Sequence, residues 1–261
     1  MFDSFSRRRF LAAVPAVPFL AARQPSTAAA PGAAFPAHEP ALVRDVVTAS
    51  HGNLARVKEL VTARPALARV SWDWGYGDWE TPIDAASHVG NRAIAELLIA
   101  HGARPTIFTA AMMGQVAILK GWIAAAPGIQ RARGPHGITL AAHARAGGAA
   151  AAEVLAYLDA LGDADPRYTD LPLSEAEYAA IAGEYSFGAG PSETLKVART
   201  ARGALTIARA GGSERNLFHH GGLVFNPAGA EAVRVRFDVA GGRARSLTVE
   251  DGPVPTRAAR V

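Results

Sequence analysis

Between residues 81 and 103 the chain carries a pattern that specifies two short helices and makes them unable to fold alone. Thr81 is a good helix N-cap, and Pro82 follows at the first helical position, where its missing N–H costs nothing. Ala85 and Ala86 are small enough to admit a neighbouring helix closely. Gly90 ends the first helix, because glycine takes the left-handed conformation a helix C-terminus often requires. From Asn91 to Ala100, Ile94, Leu97 and Leu98 fall on one face, and Gly102 stops that helix. One apolar side is left over, and it has to be covered by a neighbouring copy of the unit.

The same landmarks recur. Gly52, Gly90, Gly114 and Gly148 stand at intervals of 38, 24 and 34 residues, each preceded by small residues and followed by an apolar stripe. The unit resembles an ankyrin repeat, whose period is about 33 residues. The resemblance implies a stack of about four repeats over residues 40–161, with a surface that binds another protein. The long first interval predicts an extended finger from Ser71 to Glu80, holding three of the four tryptophans. The short second interval leaves only Ala103-Arg104-Pro105-Thr106 between units, so a finger is missing there.

At the N-terminus, Ser6-Arg7-Arg8-Arg9-Phe10-Leu11 resembles the twin-arginine export motif, and an apolar stretch and an alanine-rich region follow. Residues 1–30 are therefore expected to be a signal peptide, with a bacterial periplasmic destination. The apolar stretch is too short for an ordinary spanning helix, so no stable membrane insertion is expected unless the signal stays uncleaved as an anchor. That segment carries +3 of the chain's net +4 charge. The remainder is close to neutral, which argues against nucleic acid as a partner. The chain has no cysteine, so disulfides, thiolate metal sites and a lipoprotein anchor are all excluded.

Beyond Leu161 the pattern changes. Residues 162–172 read as a turn-rich linker. Ser174 and Glu177 form a capping box for a short helix. Eight short alternating runs follow: 184–187, 194–199, 204–209, 215–219, 223–226, 232–239, 244–250 and 255–260. They predict a small antiparallel barrel or sandwich. Residues 173–261, with Tyr178, Gly183 and Tyr185, then Leu195-x-Val197, Leu223-x-Phe225 and Val235-x-Phe237, resemble the lipocalin-like accessory domain of penicillin-recognising serine hydrolases. The resemblance implies an accessory role in association or cleft shaping. The fold class is thus α+β and multidomain: a helical ankyrin stack, then a β-barrel or sandwich.

Catalytic motifs are missing. Ser-x-x-Lys, Gly-x-Ser-x-Gly, His-Glu-x-x-His and a phosphate-binding loop do not occur. His51, His88, His101 and His143 lie near repeat landmarks and are expected to bond loop backbone. Asp73, Asp78 and Glu80 read as a solvated finger tip or as caps on the neighbouring repeat. No cofactor, metal or catalytic residue is therefore expected. The candidate protein-binding residues are Trp72, Trp74, Tyr76, Asp78 and Trp79 of the finger, with Arg131, Arg133 and His136 of the next one. Tryptophan and tyrosine dominate binding energy at many interfaces. Packing within the insertion is the competing explanation for the aromatics. The expected function is an exported, non-enzymatic scaffold for another periplasmic protein. The alternative is a small-ligand-binding protein or hydrolase-related enzyme with its pocket in the β domain.

Overall fold

The computed structural model describes residues 37–261, and His38 to Val261 form one unit. The signal-peptide segment lies outside the described residues. Four helix pairs come first: α1 (Pro40–Ala49) with α2 (Leu54–Ala63), α3 (Pro82–His88) with α4 (Arg92–Ala100), α5 (Ile107–Met112) with α6 (Val116–Ala125), and α7 (Leu140–Ala146) with α8 (Ala152–Leu161). Among the described residues, no helix is long and apolar enough to cross a membrane.

The helix starts follow from the sequence. Thr81, Thr106 and Thr139 each accept a bond from the backbone N–H three residues on, at 3.2, 3.2 and 3.3 Å. Asn53 and Asn91 cap the second helices of their pairs in the same way. The first pair lacks a threonine cap, but α1 opens on Pro40. Neighbouring pairs are tied by buried polar bonds. Asp84 accepts from Thr81 at 2.6 Å and from Thr106 at 3.0 Å, and Ser87 donates to Thr109 at 3.0 Å. Burial pushes the Asp84 carboxyl up, against the pull of these hydroxyl donors.

Apolar packing divides along the stack. The first two pairs enclose Val46, Val57, Leu67, Ile83, Ile94 and Leu98. The last two enclose Ile107, Leu119, Leu140, Val154 and Leu158. The long first interval is filled by a 3-10 turn at Pro65–Arg69 and a hairpin of β1 (Trp72–Asp73) and β2 (Trp79–Glu80), which pairs Trp72 with Glu80 and Asp73 with Trp79.

After α9 (Glu175–Ile181), which carries the expected capping box, eight antiparallel strands close into a barrel. They are β3 (Gly183–Ser186), β4 (Thr194–Arg199), β5 (Leu205–Arg209), β6 (Arg215–His219), β7 (Val224–Pro227), β8 (Arg234–Ala240), β9 (Arg243–Asp251) and β10 (Val254–Arg260). Each strand pairs with the next, and β10 returns to β3. A barrel, not a sandwich, is therefore what the alternating runs build. Tyr185, Leu195, Val197, Ile207, Phe225, Val235 and Leu247 bury together as its core. Eight strands enclose a space that side chains of this size can occupy.

The 162–172 segment is bonded on both sides. Asp163 accepts from Gln130 and Arg131, and Asp165 accepts from Thr139 and Arg145. Tyr168 stacks on Phe218 of β6 at 4.0 Å, with the Arg133 guanidinium 3.9 Å from its ring on the other side. The helical stack and the barrel are joined through these contacts.

Gly90 and Gly102 separate conformation from space. Both are left-handed, with φ of +74° and +87°. A Cβ at Gly90 would run into the Ala146 carbonyl, whereas one at Gly102 meets nothing within 4 Å. Gly102→Ala should cost about 1–2 kcal/mol, the penalty of the left-handed conformation alone. Gly90→Ala should cost roughly 1–3 kcal/mol more, because backbone must move. Urea unfolding midpoints of the two variants check this, and equal losses would refute the packing account.

Candidate metal centre

The finger hairpin folds inward, onto the base of the stack. β1 ends at Asp73, and the chain reverses through Gly75, Tyr76 and Gly77, all with positive φ. Trp74 and Tyr76 therefore do not continue a strand face shared with Trp72. Asp73 remains exposed, but Asp78 and Glu80 are buried, not solvated. This corrects the expectation of a solvated tip. The two carboxylates are buried because cationic and hydrogen-bonding groups meet them there.

Three histidines converge on Glu80. His51 lies in the turn between α1 and α2, His88 ends α3, and His136 sits in the loop before α7. His88 Nε2 is 2.9 Å from Glu80 Oε1, His136 Nε2 is 3.3 Å from it and His51 Nε2 is 3.6 Å from it. The His51 and His88 Nε2 atoms are 3.1 Å apart. Among the described residues, these four offer one ligand atom each within 4.8 Å of all the others.

An outer layer sets the direction of His51, His136 and Glu80. His51 Nδ1 lies 3.1 Å from the Val47 carbonyl. His136 Nδ1 lies 2.8 Å from Asp78 Oδ2, and its backbone N–H donates to Asp78 Oδ1 at 2.9 Å. Those outer acceptors hold the Nδ1 protons and turn the Nε2 atoms inward. Trp74 Nε1 donates to Glu80 Oε2 at 2.8 Å, leaving Oε1 for the histidines. His136 has φ +60°, an uncommon left-handed conformation for a residue with a side chain, and Asp78 grips it at two points.

The charges respond to this packing. Burial acts to raise Glu80, but hydrogen bonds from His136 and His88 outweigh it and hold the carboxyl at about 2. Burial acts to lower His136, but its bonds to Asp78 and Glu80 outweigh that and raise it to about 9. Asp78 is likewise held below the usual range: the His136 bonds and the Arg215 charge overcome its burial. Arg215, at the start of β6, reaches Asp78 through Nη1 as a buried ion pair and so links the barrel to the cluster.

Of the remaining candidates, only Trp74 and Asp78 touch the four-residue cluster. His101 Nδ1 meets the Leu97 carbonyl at 2.9 Å and His143 Nδ1 the Thr139 carbonyl at 2.8 Å. Burial drives His143 down to about 4. Trp72 and Trp74 pack on the first apolar core, and Tyr76 lines the barrel mouth beside Arg209 and Arg215. Arg131 pairs with Asp163, and Arg133 bonds the Gly137 and Pro166 carbonyls. Trp79 stays out in solvent, 59% exposed. The structure therefore gathers Trp74, Asp78 and His136 around Glu80 and disperses the others.

Sequence reasoning missed His51, Glu80, His88 and Arg215 as a set. The available signal was positional: His51 and His88 both fall at the end of a first helix, just before its glycine. Neither a protein-family model nor a curated protein matches the chain.

Asp78 is the shared acceptor of two cationic groups. Asp78→Ala would leave Arg215 charged, buried and unpaired, and should lower stability by about 3–5 kcal/mol. Glu250→Ala breaks an exposed pair with Arg236 and should cost less than about 1 kcal/mol. Denaturant unfolding of both variants measures the contrast, and a small effect at Asp78 would refute its joining role.

Proposed function

We propose that this protein binds one divalent transition-metal ion, with zinc the leading choice, through Nε2 of His51, His88 and His136 and Oε1 of Glu80. One observation carries the reading. Outer hydrogen bonds fix the His51 and His136 rings so that their Nε2 atoms, with that of His88, face one carboxylate oxygen at 2.9–3.6 Å. Ligand atoms about 2.0–2.1 Å from a tetrahedral zinc lie about 3.3–3.4 Å from one another. Three imidazoles and one carboxylate are a donor set suited to zinc and to neighbouring transition metals. The Asp78–His136 pair supplies the carboxylate–histidine arrangement that accompanies zinc ligands.

In this reading the helix pairs are ankyrin repeats, the barrel is lipocalin-like, and the metal lies within the helical half, next to the Asp78–Arg215 pair that reaches the barrel. The twin-arginine resemblance supports an exported protein, and ligands without thiols suit that destination. A role in binding another protein keeps one specific support, the exposed Trp79 beside the hairpin.

Full-length protein stripped with chelator and reloaded should hold one zinc per chain by elemental analysis. His88→Ala and Glu80→Gln should each weaken zinc by at least about 100-fold, since loss of an outer partner alone costs about 10–100-fold. Trp74→Phe, which removes only an outer donor, should fall within that smaller range. Failure to retain stoichiometric zinc, or equal affinity in the ligand variants, would defeat the proposal.

A further inference from the structure

A cavity of about 530 Å³ lies between the hairpin and the mouth of the barrel. Its volume falls within the range of small-ligand sites, about 300–1,000 Å³. The interior of the barrel is filled by side chains such as Tyr185, Phe225 and Leu247, so this space is a vestibule outside that core. Phe187, Leu195 and Val249 give it an apolar floor on the barrel side, and Trp74 and Tyr76 close it from the hairpin side. None of the four proposed metal ligands lines it.

Tyr76 is held there in an uncommon conformation. Its φ is +59°, between Gly75 at +100° and Gly77 at +75°. A tyrosine in the left-handed region is strained, and such strain gathers at binding sites. Its hydroxyl bonds no described residue, yet it is not sealed from solvent as Arg215 Nη2 is. Burial pushes the phenol up, against the pull of the Arg215 and Arg209 charges, so the hydroxyl keeps its proton and can donate.

Charges of both signs border the same space without meeting. Arg209 stands across from Leu195 in the β4–β5 ladder, so its side chain emerges on the same side, at the mouth. The guanidinium lies 5.3 Å from the Phe187 ring, and only its Nε is bonded, to the Ser192 carbonyl at 2.8 Å. Both Nη groups are left for a ligand. Asp73 ends β1 and Asp251 ends β9. Asp73 accepts the Gly75 N–H at 2.7 Å, and the Asp251 carboxylate has no partner among the described residues. Arg215 also lines the cavity, but Asp78 meets its charge. A plain anion would face two carboxylates and a plain cation would face Arg209, whereas a ligand carrying both signs suits the whole rim.

We propose that this vestibule binds an apolar dipeptide as its zwitterion, with the carboxylate on Arg209 and the Tyr76 hydroxyl, the ammonium on Asp251 and Asp73, and the side chains on the apolar floor. Arg209 forms no ion pair with either aspartate, so the opposite charges stand further apart than one salt bridge. An extended dipeptide spans about 7 Å and reaches across such a gap. The site is independent of the metal.

Calorimetric titration of the full-length protein with leucyl-phenylalanine should show saturable binding. The N-acetylated dipeptide lacks the ammonium and the C-terminal amide lacks the carboxylate. Each should bind at least about tenfold more weakly, the scale of one bond to a charged group. Arg209→Gln should weaken the dipeptide to the same degree and leave the amide unchanged, since the amide has no carboxylate to lose. Asp251→Asn should weaken the dipeptide and leave the acetylated form unchanged. Both residues are exposed, and the unchanged ligand in each variant also reports that the fold is intact. Tyr76→Phe keeps the ring, removes one donor and should weaken the dipeptide severalfold. No saturable binding overturns the site, and undiminished binding in the three variants overturns its location. Equal affinity for the blocked dipeptides, or for the neutral sugar maltose, overturns the zwitterion assignment. Free phenylalanine binding as tightly as the dipeptide overturns the assigned length.

Discussion

Asp78 holds the arrangement together. One buried carboxylate accepts the backbone and ring N–H of His136 and the guanidinium of Arg215. These three residues come from the β1–β2 hairpin, the loop before α7 and the fourth barrel strand, β6. A buried carboxylate is stable only when its lone pairs are used, and here every partner belongs to a different part of the chain. Satisfying Asp78 therefore fixes the hairpin, the strained His136 backbone and the approach of the barrel together. The stacking of Arg133, Tyr168 and Phe218 reinforces the same junction from the linker side.

The cluster beside it has a charge problem that protons resolve only in part. A proton held by His136 up to about pH 9 satisfies Glu80, which stays ionised. The His51 and His88 Nε2 atoms still face one another at 3.1 Å. Two imidazole nitrogens at that distance require a proton between them or a cation that both can ligate. A divalent ion serves all four groups at once and replaces protons in doing so, as ligation by imidazole always demands.

Local chemistry was readable from sequence; convergence was not. Threonine caps, the Ser174–Glu177 capping box and the alternation in strands such as Val235 and Phe237 act within a few residues, so they mark elements directly. The eight runs matched eight strands to within two residues at each end, and closure decided between barrel and sandwich. The histidines misled because three of the four also satisfy the ordinary role expected of them, whereas His88 meets Glu80 and His51 instead. His51, His101 and His143 all bond a carbonyl four residues back. That bond uses Nδ1 and says nothing of where Nε2 points. Apart from His88 and Glu80, eight positions apart, the converging residues are 29 to 85 positions apart, and only the packing of the helix pairs sets their distances.

The irregular spacing of the four helix pairs explains how such a site arises. The long interval supplies the hairpin, and with it both Asp78 and Glu80. The short one carries no finger between Gly102 and α5, only the Ala103–Thr106 connection. With nothing projecting there, the loop before α7 meets the hairpin directly, and His136 bonds Asp78 and approaches Glu80. The long and the short interval thus act together: one brings the carboxylates in, and the other leaves the path open for the third histidine. The outward side of the hairpin, where Trp79 stands free, is left without a role in the cluster. Tryptophans that looked alike in sequence divide on this account, Trp74 turned to Glu80 and Trp79 to solvent.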